Sequence, residues 1–430
     1  MMKFIHAADL HLDSPLTGLS SYADAPVDRL RTATRDAFNR LVSRAIEEQV
    51  DFMVIAGDVY DGDWRDFNTG LYFVRQMGRL RQAGISVYLL HGNHDAESEM
   101  TRTLELPDNV HIFSARTAQT FRVEHLKVAL HGRSFRSAAI TENLLPGYPN
   151  PVSGWLNIGV LHTALEGHAE HARYAPCSLA ELRARGYQYW ALGHVHQRWI
   201  ERGAVTIAYP GNLQGRHIRE PGPRGALLIT ASAGEIVDVE VLEVDVVRWQ
   251  TLDVHIGEIS DRSGAIRAAG LALEQALGAA PGELRLAIRL RFVGRSAAHM
   301  DLVADEVQLR QEMLAQAVAI DPDRLWIEKV RVESSAPDSQ IGASLGERKG
   351  TLTDLARLML EASEDPSLLS SLHDDWRLLL ETLPPEVLKA SADLRALRQD
   401  PMVAAPQWLQ RAAPLAMGQL AQASARASES

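Results

Sequence analysis

Seven short apolar segments in the first 240 residues constrain the fold more than any other feature of this sequence. They are KFIHAA, DFMVIAG, ISVYLLHG, KVALHG, LNIGVLH, YQYWALGH and VTIAYPG. Each has the length of a buried strand, and the stretches 28–49 and 66–83 between them have the apolar spacing of amphipathic helices. This alternation predicts an α/β domain over residues 1–240.

A second pattern begins near residue 246. VRWQTLDVHI, ELRLAIRLRF and RLWIEKVRVE are predicted strands, and helices are predicted at 264–277 and 299–318. In ELRLAIRLRF the arginines alternate with apolar residues, and we interpret the arginine face as solvated, with phosphate contact as the alternative. We predict a small α+β domain over 246–334, a linker over 335–350, a C-terminal helical region over 351–415 and a disordered tail over 416–430.

Composition limits the class of protein. A chain of 430 residues is too long for one ordinary domain. The net charge of −11 argues against coating nucleic acid through bulk electrostatics, although a local basic surface remains compatible with it. The single cysteine, Cys177, excludes a disulfide framework and a thiolate zinc site. No membrane span or signal peptide is recognisable, so we expect a cytoplasmic protein.

Polar clusters directly follow five of the predicted strands. Their members are Asp9 and His11, Asp58, Asn93 with His94 and Asp95, His162, and His194 with His196. Open α/β sheets gather ligand sites at the carboxyl ends of their strands, so these clusters can converge. Imidazole, carboxylate and amide donors without thiolates suit two cations such as Mn²⁺, Fe²⁺ or Zn²⁺ in an open catalytic site.

Two cations about 3.5–4 Å apart can hold a bridging hydroxide, orient a phosphoryl oxygen and stabilise an in-line displacement. The residues therefore indicate phosphoester hydrolysis. Any one cluster alone is a weaker signal, because Asp-x-His is more often a turn. We interpret His6 and His91 as core residues or as residues that support the ligands from behind, and His168 and His171 as loop residues near the rim of the site.

The motifs DLH, GDVYD, GNHD, LHT and GHVH resemble, in this order, the five signature blocks of the calcineurin-like metallophosphoesterases. The flanking segments resemble the branch of SbcD-like DNA repair exonucleases, and HAADLHLDSP, YWALGHVH and YPGNLQGRHIRE resemble its YhaO-type subgroup. The resemblance covers roughly residues 2–240. It implies a four-layer α/β sandwich, two central sheets flanked by helices, followed by a small α+β capping domain.

The resemblance also implies roles for individual residues. One metal would be held by Asp9, His11, Asp58 and His196, and the other by Asp58, Asn93, His162 and His194. Manganese is the expected ion, with Fe²⁺, Zn²⁺ or Mg²⁺ as alternatives. His94 would stabilise the transition state or protonate the leaving oxygen, and Asp95 would orient His94. One departure is Asp61, which stands where some relatives carry a second catalytic histidine.

Substrate and partners are further implications. A basic run after GHVH is a candidate for phosphate contact, with a solvated surface as the alternative; it contains Arg198, Arg202, Arg216, His217, Arg219 and Arg224. Family members work with a coiled-coil ATPase, here an SbcC-like one, and the amphipathic segments at 351–397 are candidates for docking it, with self-packing as the alternative. A homodimer is implied by analogy.

Three functions are therefore compared. The leading hypothesis is a metal-dependent exonuclease or endonuclease that acts on DNA in repair, with His94 assisting the attack. The first alternative is a phosphomonoesterase or cyclic-nucleotide phosphodiesterase that uses the same centre. The second is a DNA-end-binding scaffold for an ATPase, which the intact set of seven donors argues against.

Overall fold

The computed structural model describes residues 1–12, 14, 32–61, 67–97, 104–165 and 174–337, together with scattered positions between 358 and 406. The chain divides into two units. The first comprises Met1–Gln250 with Ala280–Ala287, and the second comprises Thr251–Ala279 with Ile288–Ser430. No helix in the described ranges has both the length and the apolar character that a membrane crossing requires.

The first unit contains twelve strands and four helices among its described residues. The strands are β1 (Met2–Ala7), β2 (Phe52–Ala56), β3 (Ser86–Leu90), β4 (Val110–Ile112), β5 (Gln119–Val123), β6 (Val128–Gly132), β7 (Leu156–His162), β8 (Tyr189–Gly193), β9 (Trp199–Glu201), β10 (Thr206–Tyr209), β11 (Gly225–Ser232) and β12 (Glu235–Glu243). The helices are α1 (Ala33–Glu47), α2 (Phe67–Gln82), α3 (Asn93–Glu97) and α4 (Leu179–Ala184). Short 3₁₀ turns lie at Glu124–Leu126 and Leu145–Gly147.

These strands form two six-stranded sheets. The first has the order β12-β11-β1-β2-β3-β4, in which β1 to β4 are parallel and β11 and β12 pair antiparallel. The second has the order β5-β6-β7-β8-β10-β9, in which β6, β7, β8 and β10 are parallel. Except for the edge strand β4, the parallel strands are buried along most of their length, which is why they read as continuous apolar runs in the sequence.

The side chains of each sheet pack on both faces. Phe4 and Phe52 of the first sheet stack 4.9 Å apart and pack with Ile158 of the second sheet in a core between the sheets. Ile5 belongs to a separate core under α1 and α2, because neighbouring residues of a strand point to opposite faces. Trp190 packs under α4 on the outer face of the second sheet. The predicted four-layer α/β sandwich is confirmed.

The second pattern gives a three-stranded sheet of order β13-β14-β15. Its elements are β13 (Val247–His255), α5 (Arg262–Ala279), β14 (Arg285–Arg295), α6 (His299–Ala304), α7 (Glu306–Ile320) and β15 (Leu325–Ser335). The prediction of a single helix at 299–318 is wrong, because two helices occupy this range. The two helices separate at Asp305, whose backbone is not helical. The carboxylate of Asp305 accepts a hydrogen bond from the backbone N–H of Gln308 at 2.9 Å and so caps the start of α7.

The arginine face of β14 is paired with carboxylates. Arg289 makes two hydrogen bonds to Glu328, at 2.8 and 2.7 Å, and Arg291 makes two to Asp253, at 2.7 and 2.6 Å. The charges of both arginines are compensated by carboxylates of the same unit. This pairing favours the interpretation of a solvated surface over that of phosphate contact.

The C-terminal region is described in part. A helix, α8 (Ala392–Gln399), lies within the predicted helical region. Leu369, Leu380 and Leu397 are buried in a small apolar cluster, against which Trp376 packs. The remaining predicted linker after residue 337 and the predicted tail at 416–430 lie outside the described residues.

Candidate metal centre

The polar clusters predicted from the sequence meet at one end of the two sheets. Asp9 follows β1, and its backbone N–H donates to the carbonyl of Gly57, beside Asp58, at 3.0 Å. His194 follows β8 in the other sheet, and its backbone N–H donates to the carboxylate of Asp9 at 3.0 Å. Hydrogen bonds from backbone N–H groups therefore connect the loop after β1 with the loops after β2 and β8.

Four of the predicted ligands have unusual backbone geometry. The angle φ is positive at Asp9 (51°), His11 (41°), Asp58 (53°) and His194 (100°). Non-glycine residues rarely adopt this conformation, and each instance costs on the order of 1–3 kcal/mol. Such strain persists where packing enforces it, and four of the eight non-glycine residues with positive φ in the described part of the chain are predicted ligands.

Two glycines next to the ligands allow the close approach that the site needs. A Cβ atom at Gly92, in GNHD, would lie 2.2 Å from Oδ1 of Asp58. A Cβ atom at Gly193, in GHVH, would lie 2.0 Å from the carbonyl oxygen of Ala56. Neither position has room for a side chain, so both motifs require glycine for steric reasons.

The first cluster consists of Asp9, His11 and His196, whose donor atoms lie within 4.8 Å of one another. Nε2 of His11 and Nε2 of His196 are 3.1 Å apart. Nδ1–H of His196 donates to Glu220 at 2.8 Å, and Nδ1 of His11 lies 3.3 Å from Asp61. A carboxylate beside each Nδ1 atom favours a proton on that nitrogen. The Nε2 atoms of His11 and His196 then face each other with their lone pairs, and a cation stabilises this arrangement.

The second cluster consists of Asp58, His162 and His194, also within 4.8 Å. Nδ1–H of His162 donates to the carbonyl of Ala56 at 2.9 Å, and Nε2 lies 2.9 Å from Oδ1 of Asn93 and 3.3 Å from Asp58. Burial lowers the pKa of His162, but the carboxylates of Asp58 and Asp9 raise it to about 9. The position therefore stabilises positive charge, as a cation site must.

Asp58 connects the clusters. Its carboxylate also groups with His11 and His94, again within 4.8 Å. Burial would raise the pKa of Asp58, but His162, His11 and His94 hold it well below its usual range. By contrast, burial raises the pKa of Asp9 to about 6. An ionised carboxylate between two histidine clusters is suited to bridging two cations.

His94 lies at the open side of this group, with 37% of its side chain exposed, and its Nδ1 is 3.5 Å from Oδ1 of Asp61. The expectation that Asp95 orients His94 is not met. Both oxygens of Asp95 accept backbone N–H groups, from Val59 at 2.9 Å and from Gly92 at 3.0 Å. Adjacent residues on α3 point in different directions, so Asp95 faces the loop after β2.

The structure instead gives Asp61 several contacts in the site. It accepts from Ser14 Oγ at 2.7 Å and lies 3.5 Å from Nη1 of Arg216. Burial would raise its pKa, but His11, Ser14 and Arg216 hold it well below the usual range. Sequence reasoning noted Asp61 as a departure and missed these contacts, which join residues far apart in the chain.

Glu220 is a second residue that sequence reasoning missed. It is buried, with 8% of its side chain exposed, and its carboxylate joins His196 and Arg216. Burial would raise its pKa, but His196 and Arg216 hold it well below the usual range. Its only signal in the sequence is its place at the end of YPGNLQGRHIRE.

The predicted substrate residues have differing environments. Arg216 lies between Asp61 and Glu220, so its charge is already compensated. His217 has 33% of its side chain exposed, Arg219 is exposed and Arg198 is partly exposed. Placing Arg224 in this basic surface is wrong. Arg224 is buried, and it donates hydrogen bonds to the carbonyl of His196 and to Asn212. It therefore stabilises the loop that carries His196 and does not face solvent.

Further histidines were interpreted from the sequence, among them His6 as a core residue and His168 and His171 as loop residues near the rim of the site. His6 is fully buried, and its ring contacts Tyr189 Oη at 2.9 Å and the carbonyl of Leu192 at 3.1 Å, as expected of a core residue. His168 and His171 lie outside the described residues.

Similarity to known proteins agrees with this architecture. Residues 2–198 match the calcineurin-like phosphoesterase family. Residues 249–335 match the middle domain of the metallophosphoesterase YhaO. YhaO of Bacillus subtilis is 37% identical over 261 residues, which are 60% of this chain and 64% of that protein.

More distant relatives include the DNA double-strand break repair protein Mre11 of Methanopyrus kandleri, 26% identical over 57% of each chain. The structure of TT1561 of Thermus thermophilus aligns with 56% of this chain and 98% of that one, at 14% identity and a TM-score of 0.34. The chain spans less than two thirds of the length of the two curated relatives. Residues 2–198 are a calcineurin-like phosphoesterase domain, and residues 249–335 correspond to the YhaO middle domain.

Proposed function

We propose that this protein is a two-metal phosphodiesterase that cleaves DNA in repair. The observation that carries the proposal is the meeting of the two clusters at Asp58, with His94 beside them. Asp9, His11, Asp58 and His196 would hold one divalent cation, and Asp58, Asn93, His162 and His194 the other. Such a pair supplies an activated water and neutralises charge on the phosphoryl oxygens.

The protein's own groups would do the remaining work. His94 is close to Asp58 and partly exposed, so it can reach a substrate phosphate and donate a proton to the leaving oxygen. Asp61 lies at its Nδ1 and would hold the ring in position. Arg198, Arg219 and His217 are at least partly exposed and would contact the phosphate backbone. We expect Mn²⁺ as the activating ion.

The polymer substrate, the partner and the location are also part of the proposal. Relatives named as DNA double-strand break repair proteins support DNA as the substrate. We propose an SbcC-like coiled-coil ATPase as the partner, with docking through the helical region at 351–415, and a homodimer. We propose the domain boundaries 1–240 and 246–334, and a cytoplasmic protein, which the single cysteine supports.

The test uses the full chain with Mn²⁺ and three substrates: labelled linear DNA, bis(4-nitrophenyl) phosphate and 4-nitrophenyl phosphate. We expect DNA cleavage that is lost in Asp58→Asn and strongly reduced in His94→Gln. Turnover of the monoester with intact DNA would reject the nuclease and favour a phosphomonoesterase. DNA binding without hydrolysis of any substrate would favour the scaffold.

A further inference from the structure

The two nitrogens of His196 have different partners. Nε2 faces Nε2 of His11 at 3.1 Å, inside the first cluster. Nδ1 lies 2.8 Å from Oε1 of Glu220, which accepts its proton, and 3.2 Å from Nη2 of Arg216. A carboxylate acceptor keeps the proton on Nδ1 and directs the lone pair of Nε2 into the cluster, which is the state in which imidazole binds a metal.

Glu220 is itself held in one position. Oε2 accepts from Asn212 Nδ2 at 2.9 Å and from the backbone N–H of Arg216 at 2.8 Å, and Nη2 of Arg216 lies 3.3 Å from Oε1. The side chain is 8% exposed, so these donors replace the water that the charge would otherwise need. The carboxylate cannot turn away from His196 without leaving buried donors without acceptors.

The second cluster has no equivalent carboxylate at His162 among the described contacts. There Nδ1–H donates to the backbone carbonyl of Ala56 at 2.9 Å. Both interactions fix the same tautomer, but a carboxylate increases the electron density of an imidazole more than a neutral carbonyl does. Nε2 of His196 is therefore expected to be a stronger donor than Nε2 of His162.

We propose that Glu220 is a positioning residue that strengthens cation binding at the first cluster through His196, so that the two clusters bind divalent cations unequally. This inference rests on the two-metal site of the proposed function. It concerns cation affinity, so it can be measured without any substrate.

The experiment titrates the metal-free full chain with MnCl₂ alone and follows binding by calorimetry. The wild type is expected to bind two Mn²⁺ ions. Glu220→Gln keeps the size of the side chain but removes its charge and replaces one of its two acceptor oxygens with an NH₂ donor. We expect it to weaken one of the two sites by about 10–100-fold and to leave the other within about twofold.

Asp245→Asn is the matched control. Asp245 is another buried carboxylate, 3% exposed, and it pairs with Arg248 at 2.9 Å. Asp245→Asn also replaces a carboxylate by an amide, so this variant measures any general effect of removing a buried charge from this domain. We expect it to bind both ions as the wild type does.

The proposal would be overturned if Glu220→Gln bound both ions with wild-type affinity. It would also be overturned if a folded Glu220→Gln variant bound both ions equally more weakly. If Glu220→Gln does not fold, ¹⁵N NMR of the metal-free wild type decides, with His196→Gln used to assign the signal. A proton on Nδ1 of His196 supports the proposal, and a proton on Nε2 overturns it. A wild type that binds two ions but cleaves no phosphoester refutes only the proposed function; one that binds none refutes both.

Discussion

His11 and His196 are 185 residues apart in the sequence, yet their Nε2 atoms lie 3.1 Å from each other. Each opposite nitrogen is next to a carboxylate, that of Asp61 or Glu220. At this distance either one ring donates its Nε2–H to the other or a cation lies between two lone pairs, and the carboxylates beside the Nδ1 atoms favour the second arrangement. This relationship is the local reason to expect a divalent cation here.

Cation binding should therefore stabilise the fold. At a free Mn²⁺ concentration about 100 times Kd, each site adds about 2.7 kcal/mol to the free energy of unfolding. Asp58→Asn removes the ligand that the two proposed metal sites would share, so we expect most of this gain to disappear. Thermal unfolding with and without Mn²⁺ measures it. Asp108→Asn, at an 85% exposed side chain, is the control and should respond as the wild type does. An equal Mn²⁺ effect in Asp58→Asn would contradict the shared ligand.

Asp61 and His94 should act as one catalytic unit. We expect His94→Gln to lower kcat by about 10²–10⁴-fold for phosphodiesters with a poor leaving group, and by less for a 4-nitrophenol leaving group. Asp61→Asn should lower kcat by about 10–100-fold with little change in KM, because it misorients the same ring. Steady-state kinetics of both single variants and the double variant tests this, at saturating Mn²⁺ because Asp61 also lies beside Nδ1 of His11. The double variant should match His94→Gln; fully additive losses would show that the residues act separately.

Gly92 and Gly78 offer a matched pair of glycine-to-alanine changes. Gly92→Ala would force a methyl group to 2.2 Å from Asp58 Oδ1, so we expect loss of Mn²⁺ binding at the second cluster. Gly78 lies in α2, and a Cβ atom there would meet nothing within 4 Å, so Gly78→Ala should retain both ions. It should also raise the free energy of unfolding by about 0.5–1 kcal/mol, since alanine favours a helix interior. Calorimetry and urea unfolding measure both effects. Normal Mn²⁺ binding by Gly92→Ala would refute the steric argument.

His6 should make stability depend on pH. Burial lowers its pKa in the folded protein from 6.5 to about 3, while the hydrogen bond to Leu192 opposes this shift. The unfolded chain then binds the proton more readily, so the contribution of neutral His6 is complete above about pH 6.5 and is lost as the pH falls toward 3. The loss approaches about 1.4 kcal/mol per pH unit.

Urea unfolding of the metal-free protein between pH 4 and pH 8 tests this. The difference in unfolding free energy between the wild type and His6→Gln should shrink as the pH falls below about 6.5. His125→Gln changes an exposed histidine and should show a constant difference. A constant difference for His6→Gln as well would mean that His6 can be protonated in the folded state without cost.

Much of the sandwich could be predicted because its central strands are buried on both faces. VALHG and YWALG are fully buried strands, and each was visible as a continuous apolar run. The edge strands were harder to recognise. Trp199–Glu201 has three partly buried residues, and most of Glu235–Glu243 is exposed or partly exposed, so neither has a continuous apolar signal. The break at Asp305 was missed because apolar spacing continues across it.

The candidate ligands could be predicted because each follows a strand whose end was already recognisable. The carboxylates that hold the ligand histidines could not. Asp61 and Glu220 act through contacts with residues distant in sequence, and nothing in their own segments distinguishes them from surface acids. Asp95 shows the opposite error, because proximity in sequence to His94 was mistaken for proximity of side chains.

The proposed function requires two cations that share Asp58 as a ligand. Anomalous diffraction from crystals of the full chain soaked in Mn²⁺ tests it most directly. We predict two peaks about 3.5–4 Å apart, one beside His11 and His196 and the other beside His162 and His194, with Asp58 in contact with both. A single peak, or two peaks without Asp58 between them, would contradict the account.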